Sequence, residues 1–387
     1  MLTSIQNRKL EIKIVNNEKI ITFLFVLVIA STTILRAQDK DIDTLFNESK
    51  NTLTAVPLII NNPAIKTGFG AMGIYFFKFN KEDEISPPST VRVSGLYSTN
   101  KSYYASIMTR LFWSEDKNRV NFATGISNIN NDFLYDIDEE DIRLVYTENR
   151  KFITFDYSRK LIGEFYIGAM YLGTKTSYAF DNGTEEENDF AEDFFEKNGI
   201  TDNFVSSIGL NFSMDTRDYV YYPTTGLMFS IRPKFNTEWL GSDNNYTDTD
   251  FEAAYFIPLA TNQVLAFGLG GGFATGDVPF DGYQNYGIRN NLRGYQAGKY
   301  KGKYMIAGQA EYRWRFYKRW GAVAFAGVGS IWGNENENEA FEEKLLPAAG
   351  MGMRFMISRE KRINLRLDYA VGVDGNQGLY FGVMESF

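Results

Sequence analysis

The chain has 387 residues, and neither histidine nor cysteine occurs among them. Without these residues the chain has no Ser-His-Asp or Cys-His nucleophile, no histidine-ligated zinc site and no histidine acid–base catalyst. Its 48 acidic residues outnumber its 40 basic ones, which argues against nucleic-acid binding. We therefore expect no catalytic residues, no metal site, no cofactor and no enzymatic activity.

The N-terminus has the composition of a secretory signal peptide. Four basic residues lie between residues 8 and 19, an apolar run covers residues 20–30, and Ala37 ends a Leu-Arg-Ala sequence suited to signal peptidase. The apolar run is shorter than the ~20 residues that a spanning helix needs, so an anchor helix is the weaker interpretation. We predict a signal peptide over 1–37 and a short periplasmic N-terminal segment over 38–55.

Apolar and polar residues alternate most clearly between Lys303 and Phe316. Aromatic and small apolar residues, such as Tyr312 and Trp314, hold the even positions, while Glu311 and two arginines hold odd ones. Successive strand residues point to opposite faces, so one face suits lipid and the other a wet lumen. The pattern recurs down to the last residue, and the 16% aromatic content suits the aromatic girdles of outer-membrane barrels.

These segments predict an all-β fold, a 16-stranded antiparallel transmembrane β-barrel of the outer membrane over residues 56–387. The predicted strands are 56–61, 67–79, 89–99, 101–113, 119–128, 142–158, 162–177, 203–214, 225–237, 248–258, 262–275, 303–316, 320–332, 346–357, 362–372 and 378–387. Most short connections follow even-numbered strands and most long ones follow odd-numbered strands. Because such barrels have short periplasmic turns and longer outer loops, both termini are expected in the periplasm.

Acidic residues concentrate between strands, at 136–141, 181–196 and 335–343. In the predicted topology these clusters belong to outer loops. They either meet the divalent cations of the lipopolysaccharide layer or are simply solvated, and the sequence leaves both interpretations open.

Short motifs mark the C-terminal half of the chain. A turn that opens the ninth predicted strand contains Asp215, Arg217, Asp218, Pro223 and Gly226. The long connection 276–302 contains Arg293, Gly294 and Tyr295. The strand after it carries Glu311 in the sequence Gly-Gln-Ala-Glu-Tyr-Arg, and the chain closes on Tyr380, Phe381 and Phe387. In order and spacing these motifs resemble the BamA/TamA superfamily of outer-membrane assembly and secretion barrels, also called the bacterial surface antigen family.

The resemblance covers residues 203–387 best and implies specific roles. It implies that the long loop folds back into the lumen, where Arg293 pairs with acidic groups of the barrel wall. Glu311 lies on the polar face of its strand and is the expected partner, and Gly294 permits a tight turn beside Arg293. An ordinary outer-loop turn is the alternative. The closing aromatic residues correspond to the C-terminal recognition signal of the family.

The chain departs from the family at two places. Gly327 stands where the family often has an aspartate, so one expected partner of Arg293 is missing and a less firmly held loop is expected. The predicted segment 38–55 is too short for a folded periplasmic domain, so no module of the kind called POTRA is expected before the barrel. The predicted barrel therefore resembles a stripped-down branch of the superfamily.

The seam, where the first and last strands pair, is predicted to be weak. Pro57 near the start of the first strand donates no hydrogen bond, and Gly378 and Gly382 lower the strand propensity of the last. BamA-like insertases use such a gate to template client strands, which is edge-strand pairing. The alternative is that Pro57 merely starts a strand and that the seam never opens.

We therefore expect a barrel that assists insertion, translocation or surface display of proteins or lipids at the outer membrane. The expected partners are outer-membrane lipid, lipopolysaccharide, unfolded outer-membrane or secreted client proteins, and periplasmic accessory proteins. A passive porin-like channel and a purely structural surface barrel are the alternatives.

Overall fold

The structure is a computed structural model that describes residues 52–62, 66–137, 140–285, 292–295, 298–333, 344–359 and 362–387. The predicted signal peptide 1–37, most of the predicted segment 38–55 and the acidic cluster 335–343 lie outside these residues. Among the described residues, no helix combines the length and the apolar character needed to cross a bilayer.

Sixteen antiparallel strands form a barrel in which each strand pairs with the next along the chain and β16 pairs with β1. The strands are β1 (Thr52–Asn62), β2 (Lys66–Phe77), β3 (Ser89–Ser98), β4 (Tyr103–Trp113), β5 (Asn118–Ile137), β6 (Glu140–Ile162), β7 (Phe165–Ala179), β8 (Asn203–Asp215), β9 (Gly226–Asn236), β10 (Tyr246–Ala260), β11 (Gln263–Gly276), β12 (Tyr304–Tyr317), β13 (Trp320–Trp332), β14 (Lys344–Ser358), β15 (Ile363–Gly372) and β16 (Gln377–Val383). The predicted 16-stranded antiparallel barrel is thus confirmed.

In the described part of the chain, several smaller elements lie in the connections. Helix α1 (Glu185–Lys197) follows β7, and single-turn 3-10 helices cover Glu238–Leu240 and Phe280–Gly282. In the connection between β11 and β12, a two-stranded ribbon joins Gln284–Asn285 to Lys301–Gly302.

The two faces of the barrel wall differ in chemistry. On β12, Ile306 and Trp314 point outward and are 40% and 46% exposed, whereas Glu311 and Arg313 point inward and are buried. An apolar outer face over a polar interior is what a lipid-embedded barrel requires, because hydrocarbon cannot solvate polar groups.

The first and last strands differ from their predicted extents. β1 begins at Thr52, so Pro57 lies within the strand, opposite Ala71 of β2. β16 ends at Val383, because Met384 has a φ of +72° and turns the chain out of the strand direction. The predictions that Pro57 lies near the start of a short strand and that the last strand continues to residue 387 are therefore wrong.

The two ends of the barrel are built differently. The end where β1 starts and β16 stops carries mostly short connections, and we name it the turn end; the other is the loop end. At the loop end, β5 and β6 continue as a hairpin out to Ile137 and Glu140, well beyond the ~9–11 residues that a membrane-crossing strand needs. Two connections at the turn end, 78–88 and 216–225, are longer than the rest.

Helix α1 packs on the extended hairpin at the loop end. Its Phe195 is buried, with a ring-centroid distance of 4.9 Å to Tyr146 of β6. Thr184 and Glu187 form a capping box at the helix start, which satisfies backbone N–H groups there. The acidic cluster 181–196, predicted as a plain loop, therefore contains a helix.

The connection 216–225 crosses the turn end of the barrel. Its Tyr221 packs edge-on against Phe76 of β2, at a ring-centroid distance of 6.0 Å, and donates a hydrogen bond to the Pro88 carbonyl at 2.9 Å. Tyr219 of the same connection lies 3.9 Å from the guanidinium of Arg362, beside the start of β15. Because β8 and β9 are far around the wall from β2 and β15, this connection narrows the turn-end mouth.

Candidate functional site

The long connection between β11 and β12 returns into the lumen. Its Arg293 is 2% exposed, and the side chain lies among wall residues of β12, β13 and β15. Gly294 has a φ of +113°, and a Cβ there would lie 3.0 Å from the Val371 backbone. A larger residue at this position would be both strained and crowded.

Three arginines and three carboxylates alternate around a closed ring of ion pairs, which we name the lumenal ring. The ring runs from Arg293 through Glu311, Arg313, Glu385, Arg354 and Asp368 back to Arg293. Arg293 and Glu311 are in direct contact. The other N–O distances, in ring order, are 2.7, 3.9, 2.8, 2.5 and 2.5 Å. Each carboxylate lies between two guanidinium groups, which offsets its desolvation.

Burial makes the lumenal ring sensitive to the loss of any one member. All six side chains are at most 5% exposed. Phe325 of β13 also covers the guanidinium of Arg293, whose central carbon lies 3.5 Å from the ring centroid. Removing one partner of a buried pair costs about 3–5 kcal/mol, because an uncompensated charge is left behind.

The second carboxylate beside Arg293 comes from β15. Asp368 supplies it, at 2.5 Å from an Arg293 nitrogen. At Gly327 on β13, where an aspartate was expected, a Cβ would lie 3.0 Å from Leu292 Cδ1, so the loop residue Leu292 occupies that space. Gly327 supplies no carboxylate, as expected, but Arg293 still pairs with a second carboxylate, which lies on β15 and not on β13.

Tyr295 fixes the other side of the loop. Its hydroxyl donates to the Pro347 carbonyl of β14 at 2.5 Å and accepts from the Val373 N–H at 3.3 Å. A Cβ at Gly372 would lie 2.6 Å from the Tyr295 ring. Glycine at the end of β15 thus makes the space that the aromatic ring fills.

The loop is also bonded to the last strand. The Gly294 N–H donates to the Tyr380 hydroxyl at 2.9 Å, so Tyr380 points into the lumen. By strand alternation, Phe381 points to the opposite face. A Cβ at Gly378 would lie 2.7 Å from the Tyr380 hydroxyl, and one at Gly382 would lie 2.8 Å from Arg366 Nε. Both predicted seam glycines therefore make room for lumenal side chains.

The segment after β16 enters the lumen. Glu385 accepts hydrogen bonds from Arg354 at 2.8 Å and from Asn364 at 2.6 Å, and so becomes a member of the lumenal ring. Sequence reasoning missed this residue, because it placed residues 378–387 in one strand. Glu385, which no motif contains, thus connects the segment after the last strand to the lumenal ring that holds Arg293.

Phe387 lies at the end of this lumenal segment. Its ring packs against Phe256 of β10, at a ring-centroid distance of 6.4 Å, and a Cβ at Gly268 of β11 would lie 3.1 Å from it. Its carbonyl oxygen accepts a hydrogen bond from Arg313 at 3.1 Å. Phe387 therefore does not extend the last strand; the recognition role of Tyr380, Phe381 and Phe387 stays a prediction.

At the turn end, two carboxylates of the strand-opening turn accept hydrogen bonds from other residues of the same connection. Asp215 accepts a hydrogen bond from Arg217 at 2.8 Å, and Asp218 accepts one from the Thr224 N–H at 2.8 Å. Gly226 has a φ of +103°, where a Cβ would collide with the Thr216 carbonyl. Pro223 is buried in the same connection. These residues shape the segment that crosses the mouth and do not touch the lumenal ring.

The seam is the thinnest pairing of the barrel wall. β1 and β2 pair from Thr52–Phe76 to Asn62–Lys66, whereas β1 and β16 pair at Asn61 and Leu379 among the described residues. Near the seam, an apolar cluster that includes Leu58 and Ile74 also receives Phe381 and Val383 of β16. Side-chain packing therefore contributes to closure where backbone pairing is sparse.

The fold and the site define a class: an integral outer-membrane barrel whose lumen contains an inward-folded loop held by buried ion pairs. Residues 88–387 match the model of the Omp85 superfamily domain. The chain belongs to the Omp85 superfamily.

Solved structures with a similar fold include three bacterial barrel proteins. BamA from Haemophilus ducreyi lacking POTRA domains 1-3 is 14% identical with a TM-score of 0.55, over 86% of this chain and 70% of that one. CdiB from Acinetobacter baumannii and CdiB from Escherichia coli are each 12% identical with a TM-score of 0.57, over 86% of this chain. The chain spans 59% and 62% of those two CdiB chains. At these identities the likeness concerns the fold alone.

Proposed function

We propose that this chain assists the insertion or translocation of polypeptides at the outer membrane. In this proposal, the seam between β1 and β16 is the gate and the Arg293 loop controls it. The observation that carries the proposal is the 2.9 Å hydrogen bond from the Gly294 N–H to the Tyr380 hydroxyl, which joins the loop directly to the gate strand.

Sparse backbone pairing favours the seam as the point of opening. Each backbone hydrogen bond between strands contributes a net stabilisation of about 0.5–1.5 kcal/mol. The pairing of β1 with β16 is much shorter than the pairing of β1 with β2. Once apart, β1 and β16 would present unpaired N–H and C=O groups, which can template a client strand. Movement of β16 would displace Tyr380 and Glu385 together. Opening of the seam would therefore break the contact of Tyr380 with the loop and the ion pairs of Glu385 in the lumenal ring.

The proposed orientation places the turn end, where β1 starts and β16 stops, in the periplasm, from which the clients would arrive. The partners are then unfolded outer-membrane or secreted proteins, periplasmic accessory proteins, and the lipid and lipopolysaccharide around the wall. The proposed role is mechanical and requires no enzymatic chemistry.

The proposal is tested by depleting the protein and quantifying the outer-membrane proteome, with complementation by Arg293→Ala and Tyr380→Phe. Tyr380→Phe removes only the hydroxyl that accepts from Gly294, so the barrel is expected to fold. Arg143→Ala is the matched control, because Arg143 pairs with carboxylates at the exposed loop end. Folded abundance is measured for each variant by heat-modifiable gel mobility.

We expect a selective fall in a subset of outer-membrane or surface proteins, which the control restores and the two variants do not. An unchanged proteome with altered solute uptake would refute the proposal and favour a passive channel. An unchanged proteome with unchanged uptake would favour a structural surface barrel.

A further inference from the structure

A cavity of about 430 Å³ lies at the turn end, away from the lumenal ring. Of the described residues that line it, four are cationic and none is acidic. The cations are Arg315, Lys318, Arg359 and Arg362. The chain as a whole has a formal net charge of −8. The cationic lining of the cavity therefore contrasts with the net negative charge of the chain.

The frame of the cavity is tied together by side-chain hydrogen bonds between turns. Arg319 is 3% exposed and donates to the carbonyls of Met356 and Ile357 at 2.9 and 3.3 Å, which fastens the β12–β13 turn to the end of β14. Arg315 donates twice to the side-chain oxygen of Asn262, at 2.7 and 3.2 Å, in the β10–β11 turn. These hydrogen bonds thus fix the positions of the neighbouring turns around the cavity.

Ion pairs occur at this rim both outside and inside the cavity. Lys117 pairs with Glu115 at 2.7 Å, and Lys160 pairs with Glu164 at 2.9 Å. Inside the cavity, Arg315 is bonded to a neutral amide. Arg362 reaches Asp218 at 3.5 Å. The described lining residues include four cations and no carboxylate, so an anion would be attracted to them.

The position of the cavity indicates where that anion comes from. Trp314, Phe316 and Tyr317 are 46%, 44% and 59% exposed, and Trp314 and Phe316 contact each other edge-on at 5.7 Å on the outer wall. Exposed aromatic residues at a barrel end mark the level of lipid headgroups. Phe316 and Tyr317 also line the cavity, and Lys318 Nζ lies 5.4 Å from the Tyr317 ring. The cavity therefore opens beside the headgroup layer.

We propose that this cavity is a binding site for the phosphate of an anionic lipid headgroup. Arginines and lysine donate several charge-assisted hydrogen bonds to phosphate oxygens, and basic pockets at the membrane surface favour anionic lipids. Bound lipid would bridge the turns on either side of the cavity, next to Tyr219 and Arg362, where the 216–225 connection meets the opposite wall. The proposal rests on the outer-membrane location and is independent of any client.

The test measures lipid retained by the purified full chain. The protein is reconstituted in nanodiscs of phosphatidylglycerol and phosphatidylcholine, extracted in mild detergent and examined by native mass spectrometry. The variant Lys318→Gln with Arg359→Gln removes two of the cations that line the cavity. The control Lys117→Gln with Lys160→Gln removes two lysines of the same rim that lie outside it. Heat-modifiable gel mobility verifies that each barrel is folded.

We expect selective retention of phosphatidylglycerol, weakened about fivefold for each cation removed and unchanged in the control. Equal retention by the variant and the parent would overturn the proposal. Displacement of the lipid by millimolar inorganic phosphate alone would show that the site takes free phosphate and not a headgroup. Binding of an acidic peptide without retention of phosphatidylglycerol would assign the cavity to a polypeptide and likewise refute it.

Discussion

Glu385, which lies beyond the last strand, accepts a hydrogen bond from Arg354 at 2.8 Å. Arg354 in turn pairs with Asp368, which also pairs with Arg293. The loop motif and the segment after the gate strand therefore share one buried set of charges. Movement of the Arg293 loop therefore affects the segment after β16, and the reverse also holds, because breaking any pair leaves a buried charge uncompensated.

Replacement of Glu385 by glutamine tests this sharing. Glu385→Gln keeps the shape but removes a charge that lies between Arg313 and Arg354. We expect the free energy of unfolding to fall by about 3–5 kcal/mol, measured by urea titration of the refolded barrel in detergent. The control Glu164→Gln removes a half-exposed carboxylate of the turn end and should cost no more than about 1 kcal/mol. Equal effects of the two variants would contradict a shared buried ring.

Arg293 is expected to resist replacement by lysine. Its guanidinium uses two different nitrogens, one for Glu311 and one for Asp368. A lysine ammonium is a single point charge and does not reproduce that fork. Arg293→Lys should therefore release the loop nearly as much as Arg293→Ala, measured as the rate of proteolysis within residues 277–303. A lysine variant as protected as the parent would show that charge alone holds the loop.

Gly294 separates backbone strain from steric crowding. Gly294→Ala introduces a Cβ at 3.0 Å from the Val371 backbone, at a φ of +113°. Gly163→Ala is the matched control, since Gly163 also has a positive φ, of +54°, but no atom lies within 4 Å of its Cβ position. We expect the control to cost about 1 kcal/mol and Gly294→Ala clearly more. Similar losses in unfolding free energy would mean that the loop does not approach β15 so closely.

Phe387 is expected to stabilise the folded barrel, in addition to any role it has as an assembly signal. Phe387→Ala removes a ring that packs against Phe256 and Gly268. Refolding from urea into detergent micelles excludes the cellular assembly machinery, and in this assay we expect the variant to lose about 2–4 kcal/mol, because Phe387 is partly buried. A variant that refolds and unfolds like the parent would restrict Phe387 to a signalling role.

The 78–88 connection should loosen in acid. Partial burial of Asp83 opposes its ionisation, but hydrogen bonds from Ser86 and from the backbone of Glu115 and Ile85 lower its pKa to about 2. A depressed pKa stabilises the folded connection above the ordinary value of 3.8, and this contribution is lost as the pH falls towards 2. Pepsin cleavage within 78–88 should therefore rise between pH 4 and pH 2. Asp83→Asn should remove that pH dependence; the same rise in the variant would implicate another group.

Much of the wall was predictable from the sequence. The period-two alternation fixed which residues of β12 face inward, and so identified Glu311 as lumenal before any coordinates. It did not reveal that Asp368 reaches Arg293, because several polar residues on β15 alternate in the same way. Which of them meets the loop depends on strand tilt and on how deeply the loop descends.

Two features were missed for different reasons. The turn of the chain at Met384 follows from one left-handed residue, which sequence patterning does not indicate for methionine. Helix α1, by contrast, had a usable signal, because Thr184 and Glu187 have the spacing of a capping box and precede Phe190 and Phe194 at helical spacing. Because the segment is strongly acidic, its composition is also typical of a solvated outer loop, which obscures the helical periodicity.

The most direct test of the proposed gate is a reversible lock across the seam. The chain has no cysteine, and Asn61 lies opposite Leu379, a geometry that suits a disulfide. The double variant Asn61→Cys with Leu379→Cys locks β1 to β16, while Tyr369→Cys with Leu379→Cys joins β15 to β16 and leaves the seam free. We predict that the seam lock alone stops the protein from sustaining its dependent outer-membrane proteins, and that a reductant restores them. Full function with the seam disulfide formed would contradict the gate.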